Sequence, residues 1–296
     1  MRNHSIKQWV LATRPWSFPA SAMPVLVAVA YLFWRGYEIN WLVSLWTLLN
    51  VVVFHAAGNT WSDYFDYKKG VDREDTVGGV SITGGEFSAG EIRALAMALL
   101  SVAVLSGLLL LCFTGLPVLY FGMAGAFFTI LYPWFKYHAL GDVDIFFTYS
   151  LLPLLGTSYV ATGEVMFEVL WLSVPIGLIT VGILHINNMR DITPDSRAGI
   201  KTFAMLVGRK VSTVLYNMEM IIPFVWVVVG VLCGLFPLWS LLVLLALKPA
   251  VDNARKAVAY LSQGGKALVG VDEGTAMLQL MFSLLFTVSF FVAAFL

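Results

Sequence analysis

Nine apolar stretches recur along this chain of 296 residues, most of them close to twenty residues long. About 20 mostly apolar residues suffice for a helix to cross the hydrocarbon of a bilayer. The stretches are 17–34, 41–63, 92–112, 117–135, 143–162, 169–189, 212–233, 236–250 and 275–295. The eighth is short for a span. With 59% hydrophobic and 12% charged residues the chain departs far from a soluble domain, which carries about 25% charged residues. The pattern predicts an all-α polytopic membrane protein of about nine transmembrane helices, organised as a single domain over 1–296.

Charge then sets the orientation. Three connections are long and polar, 64–91, 190–211 and 251–274, and with nine spans they fall on one side together with the N-terminus. Of the 18 Lys and Arg residues, all but Arg35 fall on that side. Cytoplasmic loops carry the excess of Lys and Arg. The expected placement is the inner (cytoplasmic) membrane, multi-pass, with the N-terminus cytoplasmic and the C-terminus outside. Met1 to Thr13 has no apolar segment of the kind a cleavable signal needs. Trp16, Trp41 and Trp134 sit near expected interfaces, where indole rings anchor helices.

A net charge of zero gives no sign of a nucleic-acid partner, and no protein partner is implied. Cys112 and Cys233 are isolated, with no spacing that suggests zinc or a redox pair.

Two polar clusters interrupt this apolar background. The first reads Asn59-Thr-Trp-Ser-Asp63-Tyr-Phe-Asp66, and the second Asn187-Asn-Met-Arg-Asp191-Ile-Thr-Pro-Asp195. Asn and Asp four residues apart share one face of a helix. Carboxylates at the rim of a span are costly unless paired or bound to a cation. Two such clusters facing each other would form an oxygen-rich site for Mg²⁺, a cation commonly held by one or two carboxylates together with substrate phosphates. Lys68, Lys69 and Arg73 alternate with Asp72, Glu74 and Asp75 after the first cluster, and Arg190, Arg197 and Lys201 flank the second. Acids for a metal beside bases for phosphate oxygens suit a metal–diphosphate complex. His55 and His185, each inside an apolar stretch, are expected to be packed helix residues. The Gly-rich loop 67–90 is a candidate lid.

These residues resemble the UbiA-type intramembrane aromatic prenyltransferases over nearly the whole chain. That family carries two Asp-rich motifs on the second and sixth of nine helices, where the two clusters fall here. The closest resemblance is to the menaquinone-pathway branch, the 1,4-dihydroxy-2-naphthoate polyprenyltransferases. It rests on Arg14-Pro15-Trp-Ser-Phe-Pro19-Ala20, Asp63-Tyr-Phe-Asp66-Tyr-Lys-Lys-Gly70-Val-Asp72, Tyr132-Pro133…Lys136-Tyr137…Gly141-Asp142, and Asn187-Asn-Met-Arg190-Asp191…Asp195…Gly199-Ile-Lys201-Thr202. Ser62 stands where many relatives carry a second Asn.

The resemblance implies a UbiA-like bundle with a lipid-open central cavity, Mg²⁺ as cofactor, and a polyprenyl diphosphate and an aromatic acceptor as substrates. It implies Asn59, Asp63, Asp66, Asn187, Asp191 and Asp195 as metal–diphosphate residues. Asp63, Asp191, Lys136 and Tyr132 are the expected catalytic residues. Arg14, Asn59, Lys68, Arg73, Asn187, Arg190 and Lys201 are expected to bind substrate. Another aromatic acceptor, such as 4-hydroxybenzoate, would use the same diphosphate chemistry. An ion-coupled transporter would also carry intramembrane acids, but near the midplane. A phosphatidyl-alcohol transferase would carry Asp-x-x-Asp-Gly-x-x-Ala-Arg, which is absent.

Overall fold

The computed structural model describes residues 4–74 and 80–296. Asp75 and the middle of the 67–90 loop, the candidate lid, lie outside the described residues. The described residues are predominantly helical, and among them the one β-type pairing is an isolated parallel bridge between His138 and Lys201. In order the helices are α1 (Ile6–Ala12), α2 (Pro19–Trp34), α3 (Trp41–Lys69), α4 (Val80–Thr83), α5 (Ala89–Thr114), α6 (Pro117–Tyr137), α7 (Gly141–Phe146), α8 (Leu152–Thr162), α9 (Ser173–Arg190), α10 (Ile192–Arg197), α11 (Phe203–Leu232), α12 (Leu247–Gln263) and α13 (Val271–Phe295).

Among the described residues, eight helical segments are long and apolar enough to cross a membrane. They coincide with eight of the nine expected stretches. The remaining one, 236–250, becomes a 3-10 segment at Leu238–Ala246 that runs on into α12. Its apolar part is short, and α12 carries Lys248, Asp252, Arg255 and Lys256 instead of a second apolar half.

Local chemistry fixes the ends. Asn40 caps α3 through its side chain, which accepts from the Val43 amide at 3.3 Å. Gly70 stops α3 in the left-handed region (φ 75°), a conformation that costs glycine nothing. Ser88 and Glu91 form a capping box at the start of α5. Gly208 (φ 79°) breaks α11, so the apolar stretch expected from 212 begins just after the break.

The packed core lies among α2, α9, α11 and α13. Tyr31, Phe236, Phe282, Phe286 and Phe290 interlock there largely by edge contacts, while Phe286 and Phe290 pack tilted with centroids 4.7 Å apart. In lipid the hydrophobic effect does not hold helices together, so close packing of this kind must. On the other side, α5 and α6 are covered by few neighbours. Only 6% of the apolar window of α6 is buried, against 67% for the segment containing α9. At the end opposite the basic loops, the lone Arg35 pairs with Glu168 at 3.1 Å.

Candidate active site

A cavity of about 760 Å³ runs between α3, α5, α6, the 141–162 segment, α9 and α13. Its wall is apolar over most of its length, through residues such as Val51, Phe54, Val104, Phe121, Met123 and Val160. At one end it turns polar, and both Asn/Asp clusters meet there: Asn59, Ser62, Asp66 and Asp72 from the first, Asn187, Arg190, Asp191 and Asp195 from the second, with Arg14, Tyr132 and Lys136 between them.

The first cluster sits on unbroken helix. Asn59, Ser62 and Asp66 follow the i, i+3, i+7 stripe of α3 that faces the cavity. Asp66 is buried and accepts from three side chains: Lys136 Nζ at 2.8 Å, Tyr137 Oη at 2.8 Å and Ser62 Oγ at 3.2 Å. Asp63 is rotated off this stripe. It does not line the cavity, is 1% exposed, and pairs with the Arg14 guanidinium. Arg14 reaches it from a left-handed backbone (φ 57°) between α1 and Pro15, a conformation that costs a non-glycine residue about 1 kcal/mol. Burial works against the Arg14 charge, but Asp63, Asp72 and Asp66 outweigh it and hold the guanidinium above its ordinary value. The Asn59 amide donates to the Thr13 carbonyl and to Ser17 Oγ, both at 2.9 Å.

The second cluster sits at a helix break. The sequence spacing suggested one helical face over Asn187, Asp191 and Asp195. In the structure α9 ends at Arg190, Asp191 is the hinge (φ −97°, ψ 15°), and α10 begins at Ile192. All three still face the cavity. Asp191 takes a two-pronged contact from its own neighbour Arg190, at 2.9 and 2.7 Å, and Arg190 also reaches Asp272 on α13 at 2.9 Å. The Asn187 side-chain oxygen Oδ1 is buried without a partner.

Three expected substrate-binding residues stand apart. Lys68 is exposed, two residues past Asp66 and so on the far side of α3. Arg73 is exposed and its Nε donates back to the Gly70 carbonyl at 2.9 Å. Lys201 is exposed, and what it brings to the site is its backbone, whose N–H donates to the Tyr137 carbonyl at 3.0 Å. None of the three lines the cavity. His185 is packed as expected, fully buried with Nδ1 2.8 Å from Glu219 on α11. His55 is likewise buried, between the hydroxyls of Ser21 (3.0 Å) and Ser17 (3.2 Å).

Sequence reading passed over Ser17, Tyr137 and Asp272, which contact cluster residues from 42, 71 and 82 positions away. The signal for Tyr137 was present in its place beside Lys136. Nothing local marked Asp272.

The donor set fits a divalent cation shared with phosphate oxygens. Among the described residues no three acidic, His or Cys side chains form a ready-made cage. The acids stand instead as facing groups, which suits a small cation that takes the rest of its shell from a substrate. Buried oxygens of Asp72 and Asn187 lack partners. Burial, with Asp66 nearby, pushes the Asp72 carboxyl up to about 7. Burial pushes Asp195 up to about 7 as well, Asp191 and Asp66 adding to the rise and Lys136 opposing it. Acids crowded to this degree favour a bound cation over bare charge.

A membrane-embedded helical bundle that gathers two Asn/Asp clusters and two basic side chains at the polar end of an apolar cavity has the build of an intramembrane transferase for a lipid diphosphate. The chain belongs to the UbiA prenyltransferase family, which it matches over residues 21–261. It is therefore a membrane prenyltransferase. It is 33% identical to the UbiA prenyltransferase domain-containing protein 1 homolog of Drosophila melanogaster, over 96% of this chain and 79% of that one. It is 34% identical to UbiA prenyltransferase domain-containing protein 1 of Xenopus tropicalis, over 73% of this chain and 64% of that one. The fold matches the apo structure of a UbiA homolog from Aeropyrum pernix K1, with a TM-score of 0.69 at 18% identity, over 93% of this chain and 97% of that one. A UbiA homolog from Archaeoglobus fulgidus, solved bound to GPP and Mg²⁺, matches with a TM-score of 0.60 at 13% identity, over 98% and 100% of the two chains.

Proposed function

We propose that this protein transfers a polyprenyl group from a polyprenyl diphosphate to an aromatic ring, and that the ring is 1,4-dihydroxy-2-naphthoate. The observation that carries the reading is the convergence of both clusters with Arg14 and Lys136 at the polar end of an apolar cavity. The naphthoate acceptor rests on the resemblance of the Arg14–Ala20, Asp63–Asp72 and Asn187–Thr202 stretches to that branch.

Asn59, Asp66, Asn187, Asp191 and Asp195 would hold Mg²⁺. Asp63 can join them only by exchanging Arg14 for the cation. That a UbiA homolog from Archaeoglobus fulgidus was solved bound to GPP and Mg²⁺ supports Mg²⁺ as the cofactor. When bound, the metal supplies Lewis-acid neutralisation of the diphosphate. Lys136 and Arg14 take up the charge that develops on the leaving oxygen as the allylic C–O bond breaks. The ring faces of Tyr132, Tyr149 and Phe54, which line the cavity, attract a developing allylic cation. The apolar wall excludes water that would otherwise capture it. The electron-rich ring attacks, and for the naphthoate its carboxylate leaves as CO₂.

The basic end of the bundle faces the cytoplasm in this reading, where charged substrates are at hand and where Lys and Arg are retained. The prenyl tail enters from the bilayer.

The experiment is transfer from radiolabelled polyprenyl diphosphate by purified protein in nanodiscs, with and without Mg²⁺, against a panel of aromatic acceptors. Mg²⁺-dependent product with the naphthoate is expected. Product with another ring alone keeps the chemistry and removes the acceptor assignment. No product and no diphosphate release from folded protein removes both.

A further inference from the structure

Beyond the diphosphate end, the cavity wall carries a charge that the transfer just described does not use. Asp144 on α7 is 2% exposed and lines the cavity. Its Oδ2 accepts a long hydrogen bond from Thr148 Oγ at 3.3 Å, and its Oδ1 is buried with no partner. Among the described residues no basic side chain is paired with it; the Thr148 hydroxyl and the nearby Tyr132 and Tyr149 side chains are its polar surroundings. A buried carboxylate left this way is costly, and a ligand that brings a donor removes the cost.

The backbone has been shaped to bring neighbours to it. Pro153 has no N–H to offer the Tyr149 carbonyl four residues back, and the helix widens into a π turn over Phe147–Leu151. In an unbroken α-helix Tyr149 would sit about 140° around from Asp144, at about 100° per residue. With the extra residue in the turn, Asp144, Thr148 and Tyr149 all line the cavity. The Tyr149 ring meets the edge of His55, with centroids 4.8 Å apart. His55 is joined through Ser17 to Asn59, so this stretch of wall adjoins the first cluster.

We infer that Asp144, with Thr148 and Tyr149, binds a ring hydroxyl of the aromatic acceptor, an inference that rests on the transfer reading. Ile145, Leu152 and the Tyr149 ring line the cavity on either side, and the unpartnered carboxylate oxygen accepts a hydrogen bond from the ring hydroxyl. The same charge repels an acidic substituent. A hydroxylated aromatic acid therefore enters with its hydroxyl toward Asp144 and its carboxylate toward Arg14 and Lys136. Asp144 thus selects hydroxylated rings over their methyl ethers.

The test measures binding and turnover separately. Equilibrium binding of 1,4-dihydroxy-2-naphthoate and of its methyl ethers is followed by ligand fluorescence on protein loaded with Mg²⁺ and inorganic diphosphate. Wild type, Asp144→Asn and Asp144→Ala are compared, and retained diphosphate affinity reports an intact fold. Asp144→Ala is expected to weaken binding of the hydroxylated ring about tenfold or more and to erase the preference over the ethers. Asp144→Asn, which keeps the shape and one acceptor oxygen, falls between. In transfer assays the KM for acceptor rises while the KM for prenyl diphosphate stays within about twofold. Unchanged ring affinity and ether preference in Asp144→Ala overturn the inference. Wild type that binds the ring through Asp144 but forms no prenylated product supports the subsite and removes the transfer reading.

Discussion

The two Asn/Asp clusters look alike on paper and are held by opposite means. Asp63 and Asp66 lie on continuous helix and take their counter-charges from Arg14 and Lys136, 49 and 70 residues away. Asp191 lies at a helix break and takes its counter-charge from the adjacent Arg190. The first cluster is a tertiary lock, in which cations from two other segments fix a buried row of acids. The second is locally satisfied and half open, with an unpartnered Asn187 oxygen facing the cavity. The difference lies in how the charges are anchored: the acids of the first cluster are tied to bases from distant segments, and Asp191 of the second to its own neighbour.

Six substitutions and one pH scan bear on that contrast. The largest effect is expected for Asp191→Ala and Lys136→Ala, each lowering kcat for transfer by about 10²–10³-fold. Asp191→Ala should leave the thermal midpoint nearly unchanged, because Arg190 keeps Asp272; a large fall in midpoint would make the second cluster a lock as well.

Next is Asp63→Ala. It strands the Arg14 guanidinium beside a buried site and is expected to destabilise the protein by about 3 kcal/mol, the low end for a buried pair because Arg14 is partly exposed. Denaturation in detergent measures it. A loss of activity with no loss of stability would make Asp63 a ligand rather than a lock.

A smaller effect is a pH dependence. Burial raises the folded Asp72 carboxyl to about 7, far above its unfolded value of 3.8. Between those values the folded state binds the extra proton, so substrate-free stability falls as pH rises from about 4 to about 7. Asp72→Asn should flatten that slope in thermal scans across the window. A slope that persists in the variant would place its origin elsewhere. The smallest effects are expected for Lys68→Ala and Lys201→Ala, within about twofold in kcat/KM, since both side chains are exposed off the cavity. A tenfold loss in either would extend the site beyond the first cluster's inner face.

Much of this was legible in sequence because it depends on near neighbours. Apolar length placed eight spans, and the spacing Asn59–Asp66 placed a polar stripe on α3. The same spacing rule failed for Asp63, where a 40° rotation put the carboxylate on Arg14 instead of the cavity. Apolar length alone did not show that the short 236–250 stretch forms a 3-10 segment leading into a charged helix. Lys68 and Lys201 carried the right charge in the right neighbourhood, but helix phase and a backbone bridge to Tyr137 turned them away.

By itself the sequence determined a helical membrane bundle, its charge asymmetry and the two clusters that mark its family, since hydropathy and i, i+4 chemistry act along a few turns of one helix. Tertiary structure decided which acid meets which base, that Tyr137 and Asp272 reach the clusters, and that Asp144 shares one cavity with them. Those outcomes depend on helix phase and on contacts between segments 40 to 80 residues apart. Such contacts leave no periodic trace in a single chain, because packing, not local propensity, selects them.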